Sequence, residues 1–178
     1  MVESYDTEAI RQSSLQYQWM HNQDWTQMAE EGRPNVMVEG RGLRVTDSTG
    51  KTWLDVNGGY LSVHVGYGRH EIAYAAYEQL KKITFFPMGS TTIPVIQLCD
   101  KLAKMTPGSL SRTFLNSGGS EANETALKIT RAYHKRNGEP GRYKVISRRG
   151  SYHGTLGQTM WMGQSSTDLG LTDFEPRY

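Results

Sequence analysis

The stretch Arg112-Thr113-Phe114-Leu115-Asn116-Ser117-Gly118-Gly119-Ser120-Glu121-Ala122-Asn123-Glu124 decides the reading of this chain. RTFLN at 112–116 reads as a strand. Two glycines break the run, and residues 119–136 then place Ala122, Ala126, Ile129 and Tyr133 on one stripe at helical spacing. YKVIS at 143–147 reads as a second strand, and a further helix is expected to begin near Tyr152. Strand, glycine turn, helix, strand is a βαβ unit, which favours a parallel sheet and an α/β domain.

The turn itself carries chemistry. The first backbone N–H groups of a helix have no partner, and the dipole there is positive. Gly118 and Gly119 let the chain approach an anion closely, and Ser120 adds a hydroxyl donor, so the turn suits a phosphate. The same residues also suit a plain turn in which Ser117 or Ser120 caps the helix and Glu121 or Glu124 favours its dipole. No Gly-Lys-Ser/Thr follows and the third glycine of a dinucleotide fingerprint is missing. Just after the second strand stands Ser151-Tyr152-His153-Gly154. Ligands of open parallel sheets bind beyond the carboxyl ends of strands, so Tyr152 and the 118–120 turn are expected at one edge. Tyr152 there suits stacking on a flat aromatic ligand, or a core position with its hydroxyl at the surface. His153 suits an ordinary hydrogen-bonded role as well as a functional one. In the glycine-rich segment 57–68, Tyr60, Leu61, His64 and Tyr67 are candidates to line a pocket or to pack the loop.

Working outward, residues 7–29 carry Ile10, Leu15, Trp19, Trp25 and Met28 between polar residues, one helix or two, ended by Gly32 and Pro34. VMVEG (36–40), LRVTD (43–47) and TWLDV (52–56) form a small antiparallel meander, with a turn at Asp47-Ser48-Thr49-Gly50. Helices are expected over 69–83 and 92–105, with Pro94 in the first turn of the second, where its missing N–H costs nothing. The expected organisation is an N-terminal segment, 1–68, and the first part of a larger domain, 69–178. Twenty Lys+Arg against 18 Asp+Glu leave no broad footprint for nucleic acid or an anionic membrane, and Arg142, Lys144, Arg148 and Arg149 read as a solvated strand edge. No run approaches the roughly 20 apolar residues of a membrane span. MVESYDTEAIR has no secretory pattern, so a soluble, cytoplasmic chain is expected. The single Cys99 forms no intrachain disulfide and is expected to pack in the interior; no metal site is expected.

SGGSEANETALKITRAYH (117–134) followed by ISRRGSYHGTLG (146–157) resembles the class III (ω-type) aminotransferases of pyridoxal-phosphate (PLP) fold type I. GLRVTDSTGKTWLDV (42–56) and GGYLSVHVGYGRHEI (58–72) resemble the same family, in the same order and at similar spacing, with a flavour of amine, taurine or β-alanine:pyruvate members. The resemblance implies the N-terminal part of that fold. Gly119 and Ser120 then hold the PLP phosphate, with Gly118 standing where many members have serine. Tyr152 stacks on the pyridine ring, and His153-Gly154 complete its motif. Tyr60, Leu61 and Tyr152 line the substrate pocket, with Leu61 where amine transaminases often carry tryptophan. The implied reaction passes nitrogen from an amino donor to a keto acid such as pyruvate, in a homodimer whose 85–92 stretch reaches the neighbouring site. The carboxylate for the pyridine nitrogen and the Schiff-base lysine are expected beyond Tyr178, and LTDFEPRY (171–178) resembles the loop before the next family strand. Lys128 is expected to face solvent and Lys144 to lie at the wrong end of the sheet, so no catalytic residue is expected here and the polypeptide alone is expected not to transaminate. Uncovered apolar faces are expected with it. Other readings are a racemase, aminomutase or decarboxylase relative on the same scaffold, a non-catalytic PLP-binding, phosphate-binding or dimerising fragment, and a phosphate-binding α/β domain unrelated to PLP.

Overall fold

The computed structural model describes residues 5–20, 23–87, 89–148 and 150–163. Arg149 of the basic cluster and the closing LTDFEPRY lie outside these residues. The chain divides into two compact units, Met1–Ser90 and Thr91–Tyr178.

In the first unit the apolar spacing of 7–29 resolves into two helices, each started by an aspartate. Asp6 accepts the Ala9 N–H at 3.0 Å ahead of α1 (Thr7–Tyr17). Asp24 accepts the Gln27 N–H at 3.0 Å ahead of α2 (Trp25–Glu30). Each bond satisfies one of the donors a helix start leaves open. Met28 of α2 is 2% exposed, the one fully buried apolar side chain among the described residues. The meander follows as β1 (Met37–Arg41), β2 (Arg44–Asp47) and β3 (Thr52–Leu54), antiparallel in that order. Val45 pairs with Gly40 on one side and Trp53 on the other.

Asp47 closes the β2–β3 turn. Its Oδ1 accepts the Thr49 N–H (2.9 Å), the Thr49 hydroxyl (2.6 Å) and the Lys51 N–H (3.1 Å); its Oδ2 accepts the Trp53 indole N–H (2.9 Å). The Thr49 hydroxyl first, and then the Trp53 indole, favour the charged carboxylate and hold its pKa at about 2 against the ordinary 3.8. A folded pKa below the unfolded one means that this stabilisation is fully present above roughly pH 4 and drains away as the pH falls through the folded value. The Trp53 indole N–H resonance is therefore expected to shift with a midpoint near 2, and Asp47→Asn to remove that acid step. A midpoint at 3.8 would contradict the assigned network.

The segment 58–61 forms a one-turn element, α3 (Gly58–Leu61). It is followed by α4 (His70–Lys82), whose last turn carries Lys81 and Lys82 where cations suit the helix dipole. The second unit holds α5 (Ile93–Met105), with Pro94 in its first turn as expected, α6 (Gly119–Arg136) and the short α7 (Gly157–Met162).

Three expectations differ from the structure. RTFLN and YKVIS run without helix, but neither joins a ladder among the described residues. Composition can favour an extended backbone; a strand also needs a neighbour aligned about 4.8 Å away, and none is placed beside either segment. Phe114 (68% exposed) and Ile146 (98%) accordingly lie open. The helix expected near Tyr152 begins at Gly157, because residues 153–155 are engaged by the start of α6, as described below. Cys99 is only half-buried. Apolar faces are uncovered on three helices: Ile72 and Leu80 on α4, Ile96 and Leu98 on α5, Ile129 and Tyr133 on α6.

Candidate functional site

Helix α6 starts at Gly119 with Gly118 as its N-cap in extended backbone, and no side chain caps it. The first helical backbone bond is Ala122 N–H to the Gly118 carbonyl at 3.0 Å, so the preceding amides of the turn are left to an outside acceptor. A Cβ at Gly119 would meet nothing within 4 Å: the approach to these amides is open. At Gly118 a Cβ would come 2.8 Å from Glu121 Oε2, the end of a flexible carboxylate that bends back over the turn.

A strap of residues 153–159 crosses this helix start. The Asn123 side-chain amide donates to the His153 carbonyl at 2.7 Å. The Thr155 N–H donates to Ser120 Oγ at 3.2 Å. The Thr159 N–H donates to Glu124 Oε1 at 2.8 Å, and Thr159 is fully buried. Gly154 is the pinch point. Its φ is 142°, and a Cβ there would lie 2.6 Å from Thr159 Oγ1 and 2.9 Å from Ser120 Oγ. Only glycine fits this closeness and this backbone.

The strap determines how Ser120 can act. Its oxygen already accepts from Thr155, so its own O–H proton remains available to an anion at the helix start. Asn116 Oδ1 accepts the Thr125 hydroxyl at 2.9 Å, tying the entering chain to the second turn of α6. Tyr152 is 72% exposed. His153 is half-buried, and its Nε2 is buried with no hydrogen-bond partner among the described residues. The structure thus brings the start of α6, through Ser120 and Asn123, against His153, Gly154 and Thr155 by side-chain tethers and not by a shared sheet edge, with Tyr152 directly before the strap. An open cleft of about 340 Å³ lies farther along α6, lined by Glu124, Thr125, Lys128, Arg131 and Gln158, and does not include the phosphate-like turn.

The other sequence candidates lie in the first unit. The α3 backbone is left-handed: φ is 58° at Gly58 and Gly59, 57° at Tyr60 and 66° at Leu61. Tyr60 and Leu61 each carry a cost of roughly 1–2 kcal/mol for that hand. Both are exposed, as is His64. Tyr67 instead points its hydroxyl at Asp55 Oδ2, 2.8 Å away. Asp55 is held below the usual carboxylate range, first by Tyr67 and then by the Gly59 N–H, and Tyr67 is raised by Asp55. Sequence reading singled out neither Asn123 nor Asp55. The partners of Asn123 lie 30 residues away, beyond the reach of any spacing rule. For Asp55 the available signal was an aspartate two residues before an Asn-Gly-Gly turn. Among the described residues no cluster of His, Cys, Asp or Glu could hold a metal, and no helix is long and apolar enough to cross a membrane.

Comparison with known proteins decides the family. The aminotransferase class-III family matches residues 27–176. This chain belongs to the class-III aminotransferases. Similar proteins include an uncharacterised aminotransferase of Bacillus subtilis, 42% identical over 159 residues, 89% of this chain and 34% of the relative. A taurine–pyruvate aminotransferase of Bilophila wadsworthia is 34% identical over 177 residues, 98% of this chain and 38% of the relative. Among solved structures, a thermostable (S)-enantioselective ω-transaminase from Thermomicrobium roseum superposes with a TM-score of 0.88 at 34% identity, covering 99% of this chain and 39% of that one. The chain thus spans about a third of the length of the curated relatives it matches. The motifs at 42–72 and 117–157, which resembled this family, lie within the matched region.

Proposed function

We propose that this chain supplies the phosphate- and ring-holding part of a PLP site, in a homodimeric enzyme that moves an amino group from an amine or amino acid to a keto acid. The observation that carries the reading is the start of α6, with open amides beside a serine hydroxyl whose proton has no acceptor among the described residues. PLP suits these residues. Its phosphate is an anion for the Gly119 and Ser120 N–H groups and the Ser120 hydroxyl, and Gly118 permits close approach. Its ring is flat and aromatic, matching the exposed Tyr152 on the strap, with His153 beside it. When bound, PLP supplies an electron sink for carbanion chemistry. The chain's own residues anchor the phosphate and restrain the ring. We assign Tyr60 and Leu61 to substrate recognition, with Leu61 offering a branched apolar surface. The pyruvate-using relative supports a small keto acid as acceptor.

Amino transfer also requires an amine that carries protons, and we assign that role to none of the lysines of this chain. Lys128 is the first lysine after the phosphate turn, nine residues beyond Gly119 and therefore about 13 Å along the helix axis. Lys104 pairs with Asp100 at 2.5 Å on α5. A polypeptide of residues 1–178 is thus expected to bind PLP reversibly without turnover. Borohydride added to the PLP-equilibrated chain, followed by mass analysis, is expected to show no stoichiometric adduct at one lysine. A single modified lysine whose visible absorbance band disappears on adding an amine would overturn that part of the assignment.

A further inference from the structure

We propose that Asp55 and Tyr67 form a clamp that sets the left-handed turn Gly58–Leu61 and thereby fixes the directions of Tyr60 and Leu61, which makes both clamp residues positioning residues for substrate recognition. The proposal rests on the assignment of Tyr60 and Leu61 made above.

Four successive left-handed residues are an unusual backbone, and only the first two are glycines. Packing does not explain the other two: Tyr60 is 85% exposed and Leu61 72%. Beyond its own backbone bonds, including those from the Ser62 and Val63 N–H groups to the Gly58 carbonyl at 3.0 and 2.8 Å, the turn is tied to a carboxylate. Asp55 Oδ1 accepts the Asn57 N–H at 3.0 Å, and Oδ2 accepts the Gly59 N–H at 2.6 Å and the Tyr67 hydroxyl at 2.8 Å. Tyr67 is itself anchored to the meander. Its N–H and C=O both bond Gly42, at 2.8 and 3.0 Å, and its side chain rests against Gly40, where a Cβ would fall 2.7 Å from the ring. A continuous path therefore runs from the end of β1 through Tyr67 and Asp55 to the amide of Gly59, in the middle of the strained turn. Closure of the turn by the Leu61 N–H to the Asn57 carbonyl (2.9 Å) places Asn57, the other residue held by Asp55, at its entrance.

The readout is the conformation of Tyr60 and Leu61 in solution, taken on the 178-residue chain without cofactor. A left-handed residue brings its own amide and Hα protons close, giving a strong intraresidue NOE. The native chain is expected to show this at both residues. Asp55→Ala is expected to abolish it and to speed exchange of the Gly59 amide about tenfold or more, as loss of a charge-assisted bond does. Tyr67→Phe, which deletes one donor, is expected to give a smaller loss. Asp55→Asn, which keeps an acceptor oxygen, is expected to recover part of the signal. Cross-strand contacts between Val45 and Trp53 serve as the control and are expected to persist in all three. Persistence of the left-handed signature in Asp55→Ala, with Gly59 exchange unchanged, would overturn the clamp; so would its loss only together with the Val45–Trp53 contacts. Because no PLP is present, failure of the clamp and failure of the cofactor assignment are read in separate experiments.

Discussion

Gly154→Ala is expected to destabilise the α6–α7 strap by about 2 kcal/mol or more, from a backbone hand that L-residues avoid and from overpacking. The added methyl would meet Thr159 Oγ1 at 2.6 Å and Thr159 Cβ at 2.8 Å. Thr159 cannot swing aside. It is fully buried, its N–H is bound to Glu124 and its hydroxyl donates to the Leu156 carbonyl at 3.0 Å. The methyl would also press on Ser120 Oγ, so the phosphate turn is disturbed together with the strap. Hydrogen exchange at Thr159 and Thr155, with denaturant unfolding of the second unit, measures the effect. Gly119→Ala is the matched control. Its Cβ enters open space at a helix start, where alanine is at least as favourable as glycine, so stability should change by no more than about 1 kcal/mol. If the two substitutions have equal effects, the pinch at Gly154 is not as described.

Ser120→Ala is expected to weaken PLP binding by about tenfold or more, the worth of one hydrogen bond to a charged group. The loss has two parts. The hydroxyl proton no longer reaches the phosphate, and the Thr155 N–H loses its acceptor, which loosens the strap that carries Tyr152. Ser120→Thr keeps both functions of the oxygen and should recover most of the affinity wherever its extra methyl is accommodated. Affinity for pyridoxal, which lacks the phosphate, should be almost unaffected by the first part. A titration comparing PLP with pyridoxal therefore separates the anion contact from the loosening of the strap.

Much of this fold was legible because its signals are local. The turn residues 47–50, Pro94 and the Gly118-Gly119 break each act within a few residues, and the elements start or stop beside them. What could not be read depends on partners far along the chain. RTFLN has the composition of a strand, but a ladder is a property of two segments, and no segment among the described residues pairs with it. The late start of α7 follows from bonds linking residues 120 and 123 to the strap, 30 to 35 residues on. The apolar stripe of α6 was read correctly as a stripe, yet Ile129 and Tyr133 are exposed, whereas Glu124 and Arg131 on another face are half-buried beside the α7 cleft. The left-handed run at 58–61 had no signal beyond Gly58 and Gly59, because nothing about tyrosine or leucine favours that hand. For the site, spacing left both the phosphate cradle and the plain capped turn open; the structure shows a turn without a side-chain cap.

The most direct test of the central claim is an amide chemical-shift map of the 178-residue chain titrated with PLP, and in parallel with pyridoxal. The account predicts that PLP moves the amides of Gly119, Ser120, Glu121 and Thr155 together, while pyridoxal leaves them nearly unmoved. Equal responses to both compounds at these four amides, or a PLP response elsewhere with none at these four, would contradict it.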